Sequence, residues 1–162
     1  MSREETLLGL LTAYGGALRR IARTYAGARG EAKDLHQEIL LQLWRGLASF
    51  RGDSAPGTWL YRVALNTALT WRRRAGRDAR ADSARGGPPG QTTGEPRSEA
   101  AILEELLASL APIDRSVLLL YLEGLSYQEI GEVTGLSAGA VGVRIHRIKR
   151  SYEDRYLEGG SR

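Results

Sequence analysis

The stretch from Leu125 to Arg150 holds residues whose types and spacing suit the reading of duplex DNA. Ser126-Tyr127-Gln128-Glu129 has the pattern of a capping box, in which Ser126 and Glu129 satisfy each other's exposed backbone donors at a helix start. Ile130 and Val133 give that short helix a buried side, and Gly135 suits a left-handed turn after it. Leu136 can fill the space between helices, and Ser137 can cap the next one. Val141, Ile145, Ile148 and Tyr152 then recur at spacings of four, three and four, with Arg144, Arg147 and Arg150 as their outward neighbours. A capped short helix, a glycine-containing turn and a longer basic helix are the ingredients of a helix-turn-helix. The start of the second helix, with Ser137, Ala138, Gly139, Ala140 and Val143, would enter the major groove. Arg144, Arg147 and Arg150 would meet phosphates.

A second constellation lies upstream. Trp59, Arg62, Asn66, Thr70 and Arg73 follow one another at spacings of three, four, four and three, which puts them on one face of a helix. A face with a ring, cations and an amide can stack on bases, bind phosphate and read a base edge. Other chemistry is poorly served. The chain has no cysteine, so disulfides, thiolate metal sites and thiol nucleophiles are excluded. His36 and His146 have no partners at metal-ligand spacing, and the acids are scattered singly or sit at helix ends. No catalytic residue, metal or cofactor is expected.

The elements that must position these residues read as helical throughout. Leu7, Leu8, Leu11, Tyr14, Leu18, Ile21 and Tyr25 recur at helical spacings, and a break at Gly30 to Lys33 follows. Leu40, Leu43, Leu47 and Phe50 make the core stripe of a second helix, with Ile39 and Trp44 alongside, ending at the turn-formers Arg51 to Ser54. Pro56 suits the first turn of a third helix, expected to run to Arg74 with Leu60, Val63, Thr67 and Trp71 inward. Residues 76–98 carry five glycines, three prolines and no large apolar residue, the composition of a flexible tether. Further helices are expected from Glu99 to Leu110 and from Pro112 to Leu122, the latter ended by Gly124. The expected architecture is all-α: helical domains at 1–75 and 99–162, joined by a linker at 76–98, with the helix-turn-helix in the second.

Net charge is +4, which favours a polyanionic partner. Residues 1–75 carry a balance of +6 and residues 99–162 one of −3, so the second domain's cations matter by clustering, not by number. No run of eighteen apolar residues and no secretory leader order is present, so a cytoplasmic protein without membrane insertion is expected.

Taken with Leu43-Trp44-Arg45 and Phe50-Arg51-Gly52, the segments Asp34-Leu35-His36-Gln37-Glu38 and Thr58 to Asn66 resemble the second conserved region of bacterial sigma factors of the extracytoplasmic-function (ECF) group. Gly124 to Gly131 and Leu136 to Val141 resemble that group's fourth conserved region, in the right order. The resemblance implies that the chain binds core RNA polymerase and promoter DNA, with catalysis left to the polymerase. It implies that Asp34, Leu35, Gln37 and Glu38 dock on the polymerase. Arg51, Gly52, Asp53, Ser54, Ala55 and Asn66 match positions that capture an unpaired base of the −10 element, with Trp59, Arg62 and Arg73 on the adjoining face. The second domain would read the −35 element, and an anti-sigma factor is expected as regulator. Ala140, Gly142 and Val143 depart from the family's usual residues, as do Lys33 and His36. The alternative is a stand-alone helix-turn-helix regulator whose first domain dimerises or senses; a nuclease would need clustered carboxylates.

Overall fold

The structure is a computed structural model that describes residues 1–26, 31–82 and 97–157. Among these residues all regular structure is helical: α1 (Arg3–Ala26), α2 (Glu31–Gly46), α3 (Pro56–Asp82), α4 (Glu99–Ser109), α5 (Pro112–Leu122), α6 (Tyr127–Thr134) and α7 (Ala138–Tyr152), which runs into a π-helical turn, Glu153–Leu157. The first three helices pack mutually as one bundle, and α5, α6 and α7 as another, with α4 against α5. No helix is long and apolar enough to cross a membrane among the described residues.

The first bundle closes on stripes one position away from those expected in places. In α1 the buried residues are Leu10, Ala17, Leu18, Ile21, Ala22, Tyr25 and Ala26, while Leu8 is 64% exposed. In α2 the fully buried stripe is Leu35, Ile39 and Leu43, at the i, i+4, i+8 spacing of a single helix face, and Leu40 and Leu47 flank it. In α3, Leu60, Tyr61, Ala64, Leu65 and Ala68 face the core, and Val63, Thr67 and Trp71 lie at its margin. Alanines at 64 and 68 let α3 approach α1 and α2 closely. Tyr14 packs edge-on against Tyr61, with ring centroids 5.7 Å apart.

Helix α3 continues eight residues past the expected end at Arg74, to Asp82. Gly76 does not stop it, because the alanines and arginines around it are strong helix formers. Of the segment expected to be a tether, residues 83–96 lie outside the described residues, as does Gly30 of the expected first break.

In the second bundle the local signals hold. Ser98 caps α4 by accepting from the Ala101 amide, and Gly124 ends α5 at φ 89°. At the C-terminus of α4 the Arg115 guanidinium donates to the carbonyls of Leu107 (2.7 Å), Ala108 (3.2 Å) and Leu110 (3.0 Å), satisfying acceptors a helix end leaves open. Arg115 is almost fully buried, and burial lowers its pKa from the usual arginine value.

The two bundles also touch. Tyr25 of α1, fully buried, shares a 2.5 Å hydrogen bond with the Ser116 hydroxyl of α5 and donates to the Pro112 carbonyl at 3.2 Å. Arg20 holds the Glu123 carboxylate with two donors, Nε and Nη2, the latter at 2.7 Å. Helix α6 lies on α3, where Arg62 Nη2 donates to the Glu132 carbonyl at 2.7 Å.

Candidate nucleic-acid and polymerase interfaces

The helix-turn-helix is built as its residues dictate. Ser126 Oγ accepts from the Glu129 amide at 3.1 Å and Glu129 Oε2 accepts from the Ser126 amide at 2.7 Å, a complete capping box. Gly135 closes α6 in the left-handed region at φ 83°. Ser137 caps α7 by accepting from the Ala140 amide at 3.1 Å. Gly131 makes the turn possible at all, since a Cβ there would sit 2.5 Å from the Leu136 carbonyl oxygen.

Helix α7 turns Gly139, Val143, His146, Arg147 and Arg150 outward, and Ser137 and Ala138 are exposed at its start. Ala140 is half-buried. Arg144 differs from the expectation of an outward cation. Its Nη1 donates to Asp114 Oδ1 at 2.7 Å, and both side chains are about two-thirds covered, so it ties α7 to α5. His146, by contrast, was not singled out, although the step of three from Val143 puts it on the outward face. Gly142 also has a structural reason: a Cβ there would meet the Tyr127 ring at 3.3 Å, so glycine lets that ring lie over α7. Beyond Arg150, an open cleft of about 430 Å³ is lined by Arg147, Arg150, Ser151, Asp154 and Arg155, extending the basic edge past the predicted contacts.

In the first bundle, α2 presents Asp34 and Gln37 to solvent with Glu38 half-buried, its carboxylate accepting from Gln42 Nε2 at 2.8 Å. Leu35, expected among the docking residues, is instead fully buried on the Ile39 and Leu43 stripe and supports the face from beneath. Leu41, 40% exposed, joins that face instead, seven residues after Asp34.

The turn from Arg51 to Ala55 is exposed apart from half-buried Ser54, with Gly52 at φ 80° supplying a conformation other residues adopt rarely. Arg62, Asn66 and Arg73 are exposed along α3, and Arg73 contacts the Thr70 hydroxyl at 3.5 Å. Trp59 is half-buried: its ring lies 4.9 Å from that of Phe50 and closes over Gly46, where a Cβ would meet it at 3.0 Å. The Trp59 ring thus packs on Phe50 and Gly46, next to the Arg51 to Ala55 turn, with part of its surface still exposed. Among the described residues no group of three His, Asp or Glu could hold a metal ion.

Two family models cover both bundles: Sigma-70 region 2 over residues 10–78 and Sigma-70 region 4 over residues 100–151. The chain is 34% identical over 126 residues to the RNA polymerase sigma factor YlaC of Bacillus subtilis, covering 73% of each protein. It is 30% identical over 161 residues to the ECF RNA polymerase sigma-E factor of Haemophilus influenzae, covering 90% of this chain and 85% of that one. With the sigma-E factor of Escherichia coli K12 the identity is 34% over 141 residues, or 78% of this chain and 74% of the relative. The structure of CnrH in complex with the cytosolic domain of CnrY superimposes with a TM-score of 0.68 at 26% identity, over 98% of this chain and 91% of that one. The sigma factor RpoE of Bartonella quintana, in complex with the anti-sigma factor NepR, shares the fold with a TM-score of 0.72 at 22% identity, over 98% of both chains. The chain belongs to the ECF group of RNA polymerase sigma factors, non-enzymatic proteins whose regions 2 and 4 serve promoter recognition.

Proposed function

We propose that the outer face of α2, with Asp34, Gln37, Glu38 and Leu41, docks on core RNA polymerase, with Leu35 holding that face up from the core. The turn Arg51-Gly52-Asp53-Ser54-Ala55 and Asn66 then capture an unpaired base of the −10 element, with Arg62 and Arg73 on the phosphates and Trp59 positioning the turn. Helix α7 enters the major groove at the −35 element through Ser137, Ala138, Gly139, Ala140 and Val143, and Arg147 and Arg150 meet the backbone. Arg144 serves by holding α7 on α5. In this reading the first domain spans residues 1–75, with α3 carrying on to Asp82, the second spans 99–162, and the protein works in the cytoplasm. The likeness to CnrH and RpoE, whose structures include CnrY and the anti-sigma factor NepR, supports an anti-sigma factor as regulator here too.

The observation that carries this reading is the division of α3: its apolar residues fill the core while Arg62, Asn66 and Arg73 stay exposed, next to the exposed turn that follows the Phe50–Trp59 contact. Strand opening costs on the order of 1.4 kcal/mol per base-pair step. Contacts to a captured base, worth about 1–3 kcal/mol, offset that, so no ATP is required. The test is transcription in vitro with core polymerase on genomic promoter fragments. Asn66→Ala should reduce open-complex formation at least tenfold while duplex binding falls less than twofold. Equal losses in both assays refute the single-strand role, and wild-type protein that neither binds core nor initiates refutes the whole assignment.

A further inference from the structure

The far end of the second bundle carries a cation that the −35 reading leaves without a role. Helix α7 runs into the π-helical turn Glu153–Leu157. Turns bonded from i to i+5 are rare and occur frequently at functional sites. Here the turn changes which side chains share a face. In an uninterrupted α-helix Arg155 would stand about 80° round the axis from Arg147, since eight residues advance about 100° each. The wider turn advances less per residue and reduces that angle. Arg155 accordingly lines one open cleft with Arg147, Arg150, Ser151 and Asp154. Three guanidinium groups against one carboxylate give that cleft a balance of +2. The turn is tied down on its other side: the Tyr156 ring lies 5.1 Å from that of Tyr152, which packs against the core. Arg147, Arg150 and Arg155 are all exposed, and the three ion pairs among the described residues engage none of them.

We propose that Arg155 is a further DNA-binding residue, gripping a backbone phosphate beyond those met by Arg147 and Arg150 and lengthening the duplex footprint of the second domain. This role rests on the reading that α7 enters the major groove at the −35 element. From Gly139 to Arg150 the helix runs about 16 Å at 1.5 Å per residue, more than the groove's width of about 12 Å. Its C-terminal end therefore stands over the phosphates that border the groove, and the π-turn continues along the same side. Charge selects phosphate as the occupant, because the cleft is continuous with the DNA-facing edge through two shared arginines. The rest of the domain is net acidic, so it approaches DNA favourably only along such an edge. Ala140, Gly142 and Val143 bring neither a cation nor a hydrogen-bonding side chain to the bases. Affinity must then come from the backbone, where a guanidinium holds without reading sequence.

The test is binding of the full chain, assembled with core polymerase, to a promoter fragment over a range of salt concentrations. Arg155→Gln should reduce the logarithmic salt slope by about 0.9, the share of one phosphate. It should weaken binding about 2–5-fold, the value of an exposed ion pair, and equally on intact and altered −35 sequences. Arg155→Lys keeps the charge and should keep the slope. Neutral methylphosphonates placed one at a time around the −35 element locate the contact. One position outside those sensed by Arg147 and Arg150 should weaken the wild type about 2–5-fold and leave Arg155→Gln unaffected. If no such position exists, or if Arg147→Gln lowers the slope and Arg155→Gln does not, the role of Arg155 falls while the placement of α7 stands. If neither variant changes the slope, the −35 reading of α7 falls with it. Loss of initiation by Arg155→Gln at an unchanged slope overturns the phosphate contact in favour of an acidic protein partner.

Discussion

Glycine-to-alanine substitution at two positions of one helix-turn-helix should change stability in opposite directions. Gly131 and Gly142 both sit inside helices, so alanine offers each about 1 kcal/mol of helix propensity. At Gly131 the new Cβ would lie 2.5 Å from the Leu136 carbonyl oxygen, about 0.9 Å inside ordinary contact. That oxygen belongs to main chain fixed on one side by the left-handed Gly135 and on the other by the Ser137 cap. The turn must move as a unit, and overpacking of this kind typically costs about 1–3 kcal/mol. The net expectation for Gly131→Ala is destabilisation by up to about 2 kcal/mol, with weaker −35 duplex binding as α7 shifts. At Gly142 the Cβ meets the Tyr127 ring at 3.3 and 3.4 Å, and that ring, 39% exposed, can swing into solvent. Gly142→Ala should therefore be neutral or stabilising by about 0.5 kcal/mol. Urea unfolding with a common m-value measures both. If Gly131→Ala is as stable as Gly142→Ala, the contact carries no weight and propensity alone decides.

Two further outcomes follow from the ion pairs and buried tyrosines. Arg144→Gln should lower stability by up to about 1 kcal/mol through loss of the Asp114 partner and leave the salt dependence of DNA binding nearly intact. Arg147→Gln should do the reverse, reducing the logarithmic salt slope by about 0.9 with unchanged stability; exchanged phenotypes would show that the two arginines have been assigned backwards. Burial, then the nearby Glu123 carboxylate, pushes the Tyr61 phenol up to about 12. The native state thus keeps a proton that the unfolded chain releases near pH 10, so stability is intact below pH 10 and falls as pH rises from about 10 to 12. Tyr61→Phe should flatten most of that decline, leaving the smaller share due to Tyr25, also raised by burial. A decline of full size in the phenylalanine variant, followed by urea midpoints from pH 8 to 11.5, would exclude Tyr61 as its source.

The helix-turn-helix was readable because its determinants are local. The Ser126–Glu129 box, Gly135 and the Ser137 cap each act within four residues, and all three stand in the structure as their spacing requires. A resemblance over Asp34 to Glu38 carries no side-chain direction, whereas the four-residue spacing of Leu35, Ile39 and Leu43 puts Leu35 on the buried side. The end of α3 is hard to read locally, because Gly76 and the polar residues after it have the composition of a tether while alanine and arginine propagate a helix well. Arg144 could not be recognised as a structural residue from its own helix, since its partner Asp114 lies 30 residues upstream. The contact between bundles was out of reach for the same reason on a larger scale: neither Tyr25 nor Ser116 carries any local mark of the other.

That separation also has a meaning in time. Tyr25 and Ser116 are 91 residues apart in the chain, so synthesis at about 5–20 residues per second puts roughly 5–18 s between them. Helices α1 to α3 are synthesised before α5, and a small helical bundle closes on its own core in milliseconds or less. Each newly made molecule therefore passes several seconds with Tyr25 uncovered and Arg62 unoccupied. The nascent protein is at its stickiest in that interval, and crowding on a polysome bears on it more than on the finished chain.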